Sequence, residues 1–267
     1  MDARNLLLCY FRKPARRERL LWLALLAAGV GIFGFLFHVG TSLPDFREFQ
    51  AGPERKAAFF AFVQPLIEDE NAAVLKVRRQ LLAIADQEKP GWLERRWLAR
   101  LAAEYGLEDA EHSDSSLNDR QLIAALLRRV DTVPLSLALA QSAKESGWGT
   151  SRFARKGNNL FGEWCFDQGC GHVPRARADD ATHEVQAFLT PRRSVRSYVR
   201  NLNTHPEYAE FRRERAQLRN KNRPLSGILL AGTMSQYSER RDAYVEELKQ
   251  LILSNKLENR QSEASKE

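Results

Sequence analysis

Residues 134–162 read PLSLALAQSAKESGWGTSRFARKGNNLFG, and the order of residue types in this stretch decides the fold. Pro134 suits the first turn of a helix, where its missing N–H costs nothing. The run Leu135–Ser146 follows without a breaker, and Gly147 is the usual kind of residue just past a helix end. Glu145 therefore falls in the last helical turn. Three, four and seven residues before it stand Ser142, Gln141 and Ala138, a small and polar face able to line a cleft. A carboxyl group there feels the negative pole of the helix dipole, which disfavours ionisation. Burial beside Trp148 or Phe161 would act in the same direction. An acid that keeps its proton near neutral pH is what glycoside hydrolysis needs to protonate a leaving oxygen. These local features fit an exposed helix-end glutamate as well, and they leave both roles open.

The pairing of ESGWGTS (145–151) with NNLFG (158–162) resembles the glucosaminidase domain of bacterial peptidoglycan hydrolases, glycoside hydrolase family 73. Over RRVDTVPLSLALAQSAKESGWGTSRFARKGNNLFGEWCF (128–166) and YSERRDAYVEEL (237–248) the chain resembles the Bax-type proteins of Gram-negative bacteria more closely. The likeness spans roughly residues 122–251. It implies a lysozyme-like α+β domain that cleaves peptidoglycan glycan strands after N-acetylglucosamine, without a metal or organic cofactor. Glu145 matches the family's catalytic acid. Trp148 packs beneath the cleft or stacks on a sugar, while Asn159 and Phe161 belong to the turn that holds the cleft wall. With Trp148 and Tyr198 they are the candidate substrate contacts, and Asn159 has backbone hydrogen bonds in that turn as its alternative role. Tyr198 stands at the position of a cleft tyrosine that meets substrate, and Tyr237 at that of the tyrosine facing the acid. Relatives carry Asp immediately before the first of these tyrosines, where this chain has Ser197. Tyr208 and Tyr244 read as helix packing.

HVPRAR (172–177) and HEVQAFL (183–189) read as strands flanking a turn, a hairpin over the cleft. Related domains place a second acid on such a hairpin, and here Asp180 and Glu184 are the candidates, with Asp179 behind them. An inverting reaction needs that acid about 6.5–9.5 Å from the first and a retaining one about 5–5.5 Å, whereas attack by the substrate's own acetamido group needs neither. Cys165 and Cys170 are expected to form a small disulfide loop at the hairpin base, since a metal site with His172 lacks a convincing fourth ligand.

Outward from this segment, residues 20–39 read LLWLALLAAGVGIFGFLFHV, about twenty residues with no formal charge and long enough to span a bilayer. Six basic and two acidic residues precede Leu20, which predicts a cytoplasmic N-terminus and a bacterial inner-membrane anchor with the remainder in the periplasm. They also carry +4 of the chain's net +7, and the small remainder argues against a nucleic-acid partner. Residues 42–115 then form a helical stalk or packing region of three helices, broken at Pro90-Gly91. The glucosaminidase-like domain occupies 116–254, and 255–267 is a polar, disordered tail. The partners implied are peptidoglycan glycan strands and the membrane. Two further functions fit the same fold: a muramidase or lytic transglycosylase, and a wall-binding scaffold without catalysis.

Overall fold

The computed structural model describes residues 42–107, 117–175, 177, 181–238 and 240–264. Among these residues no helix is long and apolar enough to cross a membrane, and the apolar segment 20–39 lies outside them. The described chain enters through Phe46 and a long helix, α1 (Pro53–Ala85). The sequence predicts two helices here, because the apolar period lapses between Ile67 and Val74. The structure has one, continuous through Pro65. The lapse is a docking point: Asn71 exchanges two hydrogen bonds with the backbone of Val133, at 2.8 and 3.1 Å. Glu70 accepts from Arg196 at 3.1 Å. Polar residues facing inward are satisfied there by another part of the chain, so the helix need not end.

After α2 (Trp92–Glu104) come α3 (Asp119–Arg129), opened by the Asn118 side chain, and α4 (Leu135–Ser146), which ends at Gly147 as its sequence predicts. The remaining order is α5 (Arg152–Gly157), strands β1 (Trp164–Cys165), β2 (Gly171–His172) and β3 (Glu184–Gln186), then α6 (Pro191–Thr204), α7 (Ala209–Asn220), α8 (Gly227–Ala231), α9 (Arg241–Ser254) and α10 (Leu257–Ala264). Single 3-10 turns at Pro206–Tyr208 and Ser235–Tyr237 join the later helices. The sheet is antiparallel in the order β1-β3-β2, with Trp164 opposite Val185 and His172 also opposite Val185. The expected hairpin is β2–β3, and β1 adds a strand to its other edge. Cys165 and Cys170 form the expected disulfide.

Helix α4 is the axis of the molecule. Leu135 through Ala143 are all buried, and α1, α8, α9 and α10 pack around them. Its entry is held by the fully buried Arg215, which donates to the carbonyls of Arg128, Arg129, Asp131 and Thr132. Asp131 lies among Arg78, Arg215 and Arg219. Burial alone would raise its pKa, but the hydrogen bond from Arg219 and the charges of all three cations hold the carboxyl below its ordinary value.

Residues 42–107 are a packing layer and not a stalk. The described residues from Leu43 onward form one compact unit, and Phe59, Val63, Ile67 and Val74 share a core with Leu137 and Leu139. Phe46 packs edge-on to Phe59 at 5.3 Å and lies against Gly149, where a Cβ would come within 2.3 Å of its ring. Gly149 also has φ of +76°, so both space and conformation demand glycine there. The expectation of a disordered tail from residue 255 is also corrected. Leu257 is fully buried, Arg260 donates to Gln64, and the Glu258 carboxylate accepts from Ser136 and from the Ile228 amide. One apolar anchor and three polar ones offset the ordering cost of a short helix. Replacing Phe46 by Ala is expected to cost about 3–5 kcal/mol in chemical denaturation, as for other buried aromatics. A loss under about 1 kcal/mol, the scale of an ordinary surface change, would show that this layer is not part of the core.

Candidate active site

At the C-terminal end of α4, Lys144 and Glu145 emerge half-exposed; Gln141 and Ser142 are fully buried. The face Ala138–Gln141–Ser142 thus does not line a cleft as its polarity suggests. It is covered by α6 and α9, and its polar groups are used internally. Ser142 donates to the Leu139 carbonyl, while Gln141 stands in the middle of a chain of hydrogen bonds. The Tyr198 hydroxyl donates to Gln141 Oε1 at 2.7 Å, Gln141 Nε2 donates to the Tyr244 hydroxyl at 3.1 Å, and Tyr244 donates to Glu145 Oε1 at 2.8 Å. Gln141 and Tyr244 each accept one bond of this series and donate the next, so the direction of one bond fixes that of its neighbour.

That series assigns the two oxygens of Glu145 to different tasks. Oε1 is occupied by Tyr244. Oε2 faces Gly162, where a Cβ would stand 3.5 Å away. Gly162 has φ of +69°, so the chain passes the acid in a conformation and at a distance that suit a residue without a side chain. Burial pushes the Glu145 carboxyl above its ordinary value, opposed by the Tyr244 hydrogen bond and by the charge of Lys144. Lys144 is itself drawn toward Glu247, and Arg240 pairs with the same carboxylate.

The tyrosine that touches the acid is Tyr244, which the sequence assigns to packing. Tyr237, expected to face the acid, instead donates to the Phe161 carbonyl at 2.9 Å and stacks on Tyr244 with rings 5.8 Å apart and 7° from parallel. It thereby ties the NNLFG turn to the helix that holds Tyr244.

The four expected substrate contacts form the scaffold under the site. Tyr198 is fully buried and stacks on the equally buried Phe161, centroids 3.9 Å apart. Asn159 makes four backbone hydrogen bonds: its Nδ2 donates to the Glu163 and Gln186 carbonyls, and its Oδ1 accepts from the Phe161 and Glu163 amides. With no donor or acceptor left, it has nothing to offer a sugar. Trp148 packs edge-on to Phe59 and Phe60, with Lys56 over its ring at 5.0 Å. Of the hairpin acids, Asp180 and Asp179 lie outside the described residues. Glu184 is put to another use: its two oxygens accept from the Gly169 and Gly171 amides, which holds its carboxyl below the ordinary value and closes the disulfide loop.

Glu163 is the group that sequence reasoning missed. It follows Gly162 at the root of the sheet, where its carbonyl accepts from the Gln186 amide. Ser197 donates to its Oε1 at 3.2 Å, while Oε2 is buried with no hydrogen-bond partner among the described residues. Burial pushes this carboxyl up to about 8, with the Ser197 hydrogen bond opposing. The available signal was an acid directly after NLFG, where the chain enters a strand.

The glucosaminidase family, described as mannosyl-glycoprotein endo-beta-N-acetylglucosaminidase, matches residues 120–257. Protein bax of Escherichia coli (strain K12) is 36% identical over 205 residues, which are 76% of this chain and 71% of that protein. No solved structure matches the chain. The matched span begins within α3 and ends at Leu257, so it takes in Glu145, Gly162, Glu163 and Tyr244 but not α1 or α2.

The buried carboxyl of Glu163 predicts a pH effect with a definite sign. A group whose folded pKa is raised from 4.5 to about 8 binds more protons folded than unfolded between those values, so stability falls as pH rises across that window and levels beyond it. Glu163→Gln, which keeps the shape and cannot ionise, is expected to melt increasingly above the parent protein as pH goes from 5 to 8. A constant difference in melting temperature across that range would contradict the assignment.

Proposed function

This chain belongs to the glucosaminidase family of glycoside hydrolases, and from that premise we propose that it is a peptidoglycan hydrolase, an endo-β-N-acetylglucosaminidase that cuts the glycan strand after N-acetylglucosamine with Glu145 as general acid. The observation that carries this reading is the division of labour within the Glu145 carboxyl. Tyr244 donates to Oε1, so the exchangeable proton belongs on Oε2, the oxygen beside Gly162. As the bond between the anomeric carbon and the leaving oxygen breaks, its electron pair goes to that oxygen and the Oε2 proton neutralises it. The resulting carboxylate keeps the Tyr244 hydrogen bond, which stabilises it where charge develops. Attack on the anomeric carbon falls to water activated by a hairpin acid such as Asp180, or to the substrate's own acetamido oxygen.

We place the protein in the bacterial inner membrane through residues 20–39, with the N-terminus cytoplasmic and the hydrolase in the periplasm. The basic residues ahead of that segment support the orientation. The Cys165–Cys170 disulfide supports an oxidising compartment for the domain.

Digestion of purified peptidoglycan, followed by borohydride reduction and mass spectrometry, tests the reading. Fragments ending in reduced N-acetylglucosamine are expected, and Glu145→Gln should release them about 10²–10⁴-fold more slowly. Fragments ending in reduced or anhydro N-acetylmuramic acid would replace the proposal with a muramidase or lytic transglycosylase. No release, with sacculi still bound, would favour the scaffold. A second variant probes the acid's environment. Tyr244 lowers the Glu145 pKa, so Tyr244→Phe should raise it and carry the alkaline limb of kcat/KM to higher pH, because activity needs the protonated form. A limb that moved down or stayed would contradict the assignment of Glu145 as the titrating acid.

A further inference from the structure

Strand β1 carries an indole that the fold leaves in water. Trp164 is 56% exposed, although it sits in a paired strand, beside a disulfide and one residue from the buried Glu163 carboxyl. A large apolar side chain left exposed forgoes about 1.5–3 kcal/mol of burial, so a tryptophan here does little for the fold itself. Its ring is nevertheless held in place. The His183 imidazole stacks on it with centroids 4.1 Å apart and planes 15° from parallel. The strand pairing that sets Trp164 opposite Val185 fixes the register of that stack. Beneath it, the disulfide and the grip of Glu184 on the Gly169 and Gly171 amides stiffen the loop between β1 and β2. No described residue accepts a hydrogen bond from the indole N–H.

The position ties this ring to the acid. A Cβ on Gly162 would lie 3.5 Å from Glu145 Oε2, and Trp164 is two residues further along. Consecutive Cα atoms are about 3.8 Å apart, so the Trp164 backbone stands within about 13 Å of the carboxyl. That is a reach of a few sugar units. A protein partner of ordinary stability covers about 800 Å² per side, whereas a tryptophan buries about 150–250 Å² in all. A pyranose ring, with an apolar C–H face and polar groups around its rim, matches one flat indole with a donor N–H at its edge.

We propose that Trp164, backed by His183, is a stacking platform for a sugar ring of the glycan strand, a few units from the bond that is cleaved. The proposal rests on the reading of Glu145 as the acid of a glycan hydrolase. It extends the site onto the sheet, which then contributes a rigid binding edge as well as a wall.

Full-length Glu145→Gln protein, with and without Trp164→Ala or Trp164→Phe, is titrated calorimetrically with peptidoglycan glycan chains stripped of their peptides. Trp164→Ala is expected to weaken binding about tenfold, the scale of one lost aromatic contact, while Trp164→Phe keeps most of the affinity because a ring remains. In the active protein the Ala variant should raise KM with little change in kcat. Unaltered binding in the Ala variant would overturn the platform even with Glu145 confirmed as the acid, and so would a parent protein that binds no glycan. If instead Glu145→Gln cut glycan at the wild-type rate, the acid assignment would fail, and the binding comparison would still decide the platform.

Discussion

The hydrogen bond from Tyr244 to Glu145 is the constraint on which the site depends. Without a donor, a carboxyl half-buried at the end of a helix would be free to turn toward solvent. With that donor, one oxygen is fixed and the other is presented at a bare stretch of backbone. Tyr244 is oriented by Gln141, and Gln141 by Tyr198, so the acid's geometry is set from the core outward. Tyr198, Gln141 and Tyr244 are all buried, and Glu145 at the end of the series is half-exposed. This is how a fold supports a reacting group: its immediate partners are locked by residues that solvent and substrate do not reach.

The rest of the architecture keeps α4 and the NNLFG turn in register. Phe46 and the aromatic cluster of α1 press on the turn after α4, Arg215 holds the turn before it, and Asn159 and the Tyr198–Phe161 stack fasten the segment that passes Glu145. The layer made by residues 43–105 lies wholly ahead of the family match, yet its apolar residues complete the same core. Removing it would uncover α4 and not merely shorten a tether.

Helix α4, its end at Gly147 and the disulfide were legible because each is written in local chemistry: a proline and a glycine bounding a helix, and two closely spaced thiols. The place of Glu145 in the last turn of α4 was legible from the glycine that ends the helix. The tyrosines were not, because a phenol at helical spacing reads the same whether it packs or donates, and only the packing of α9 on α4 shows that Tyr244, and not Tyr237, meets the acid. Tyr198, Asn159 and Phe161 are part of the site in the sense that they hold it, but sequence cannot distinguish the wall of a cleft from its foundation. Long-range satisfaction of polar groups explains the other differences. Asn71 and Glu70 look like the end of a helix until Val133 and Arg196 are placed against them. Glu258 looks like a tail residue until the amide of Ile228 is found beside it.

The central claim is that burial raises the Glu145 carboxyl above its ordinary pKa and that Tyr244 fixes its orientation. The most direct test is a titration of the Glu145 side-chain carboxyl by ¹³C NMR, with its resonance identified by its loss in Glu145→Gln. The account predicts a midpoint above the ordinary 4.5, rising further in Tyr244→Phe. A midpoint at or below 4.5 in the intact protein would contradict it, since the group would then be an ordinary ionised glutamate at the end of a helix.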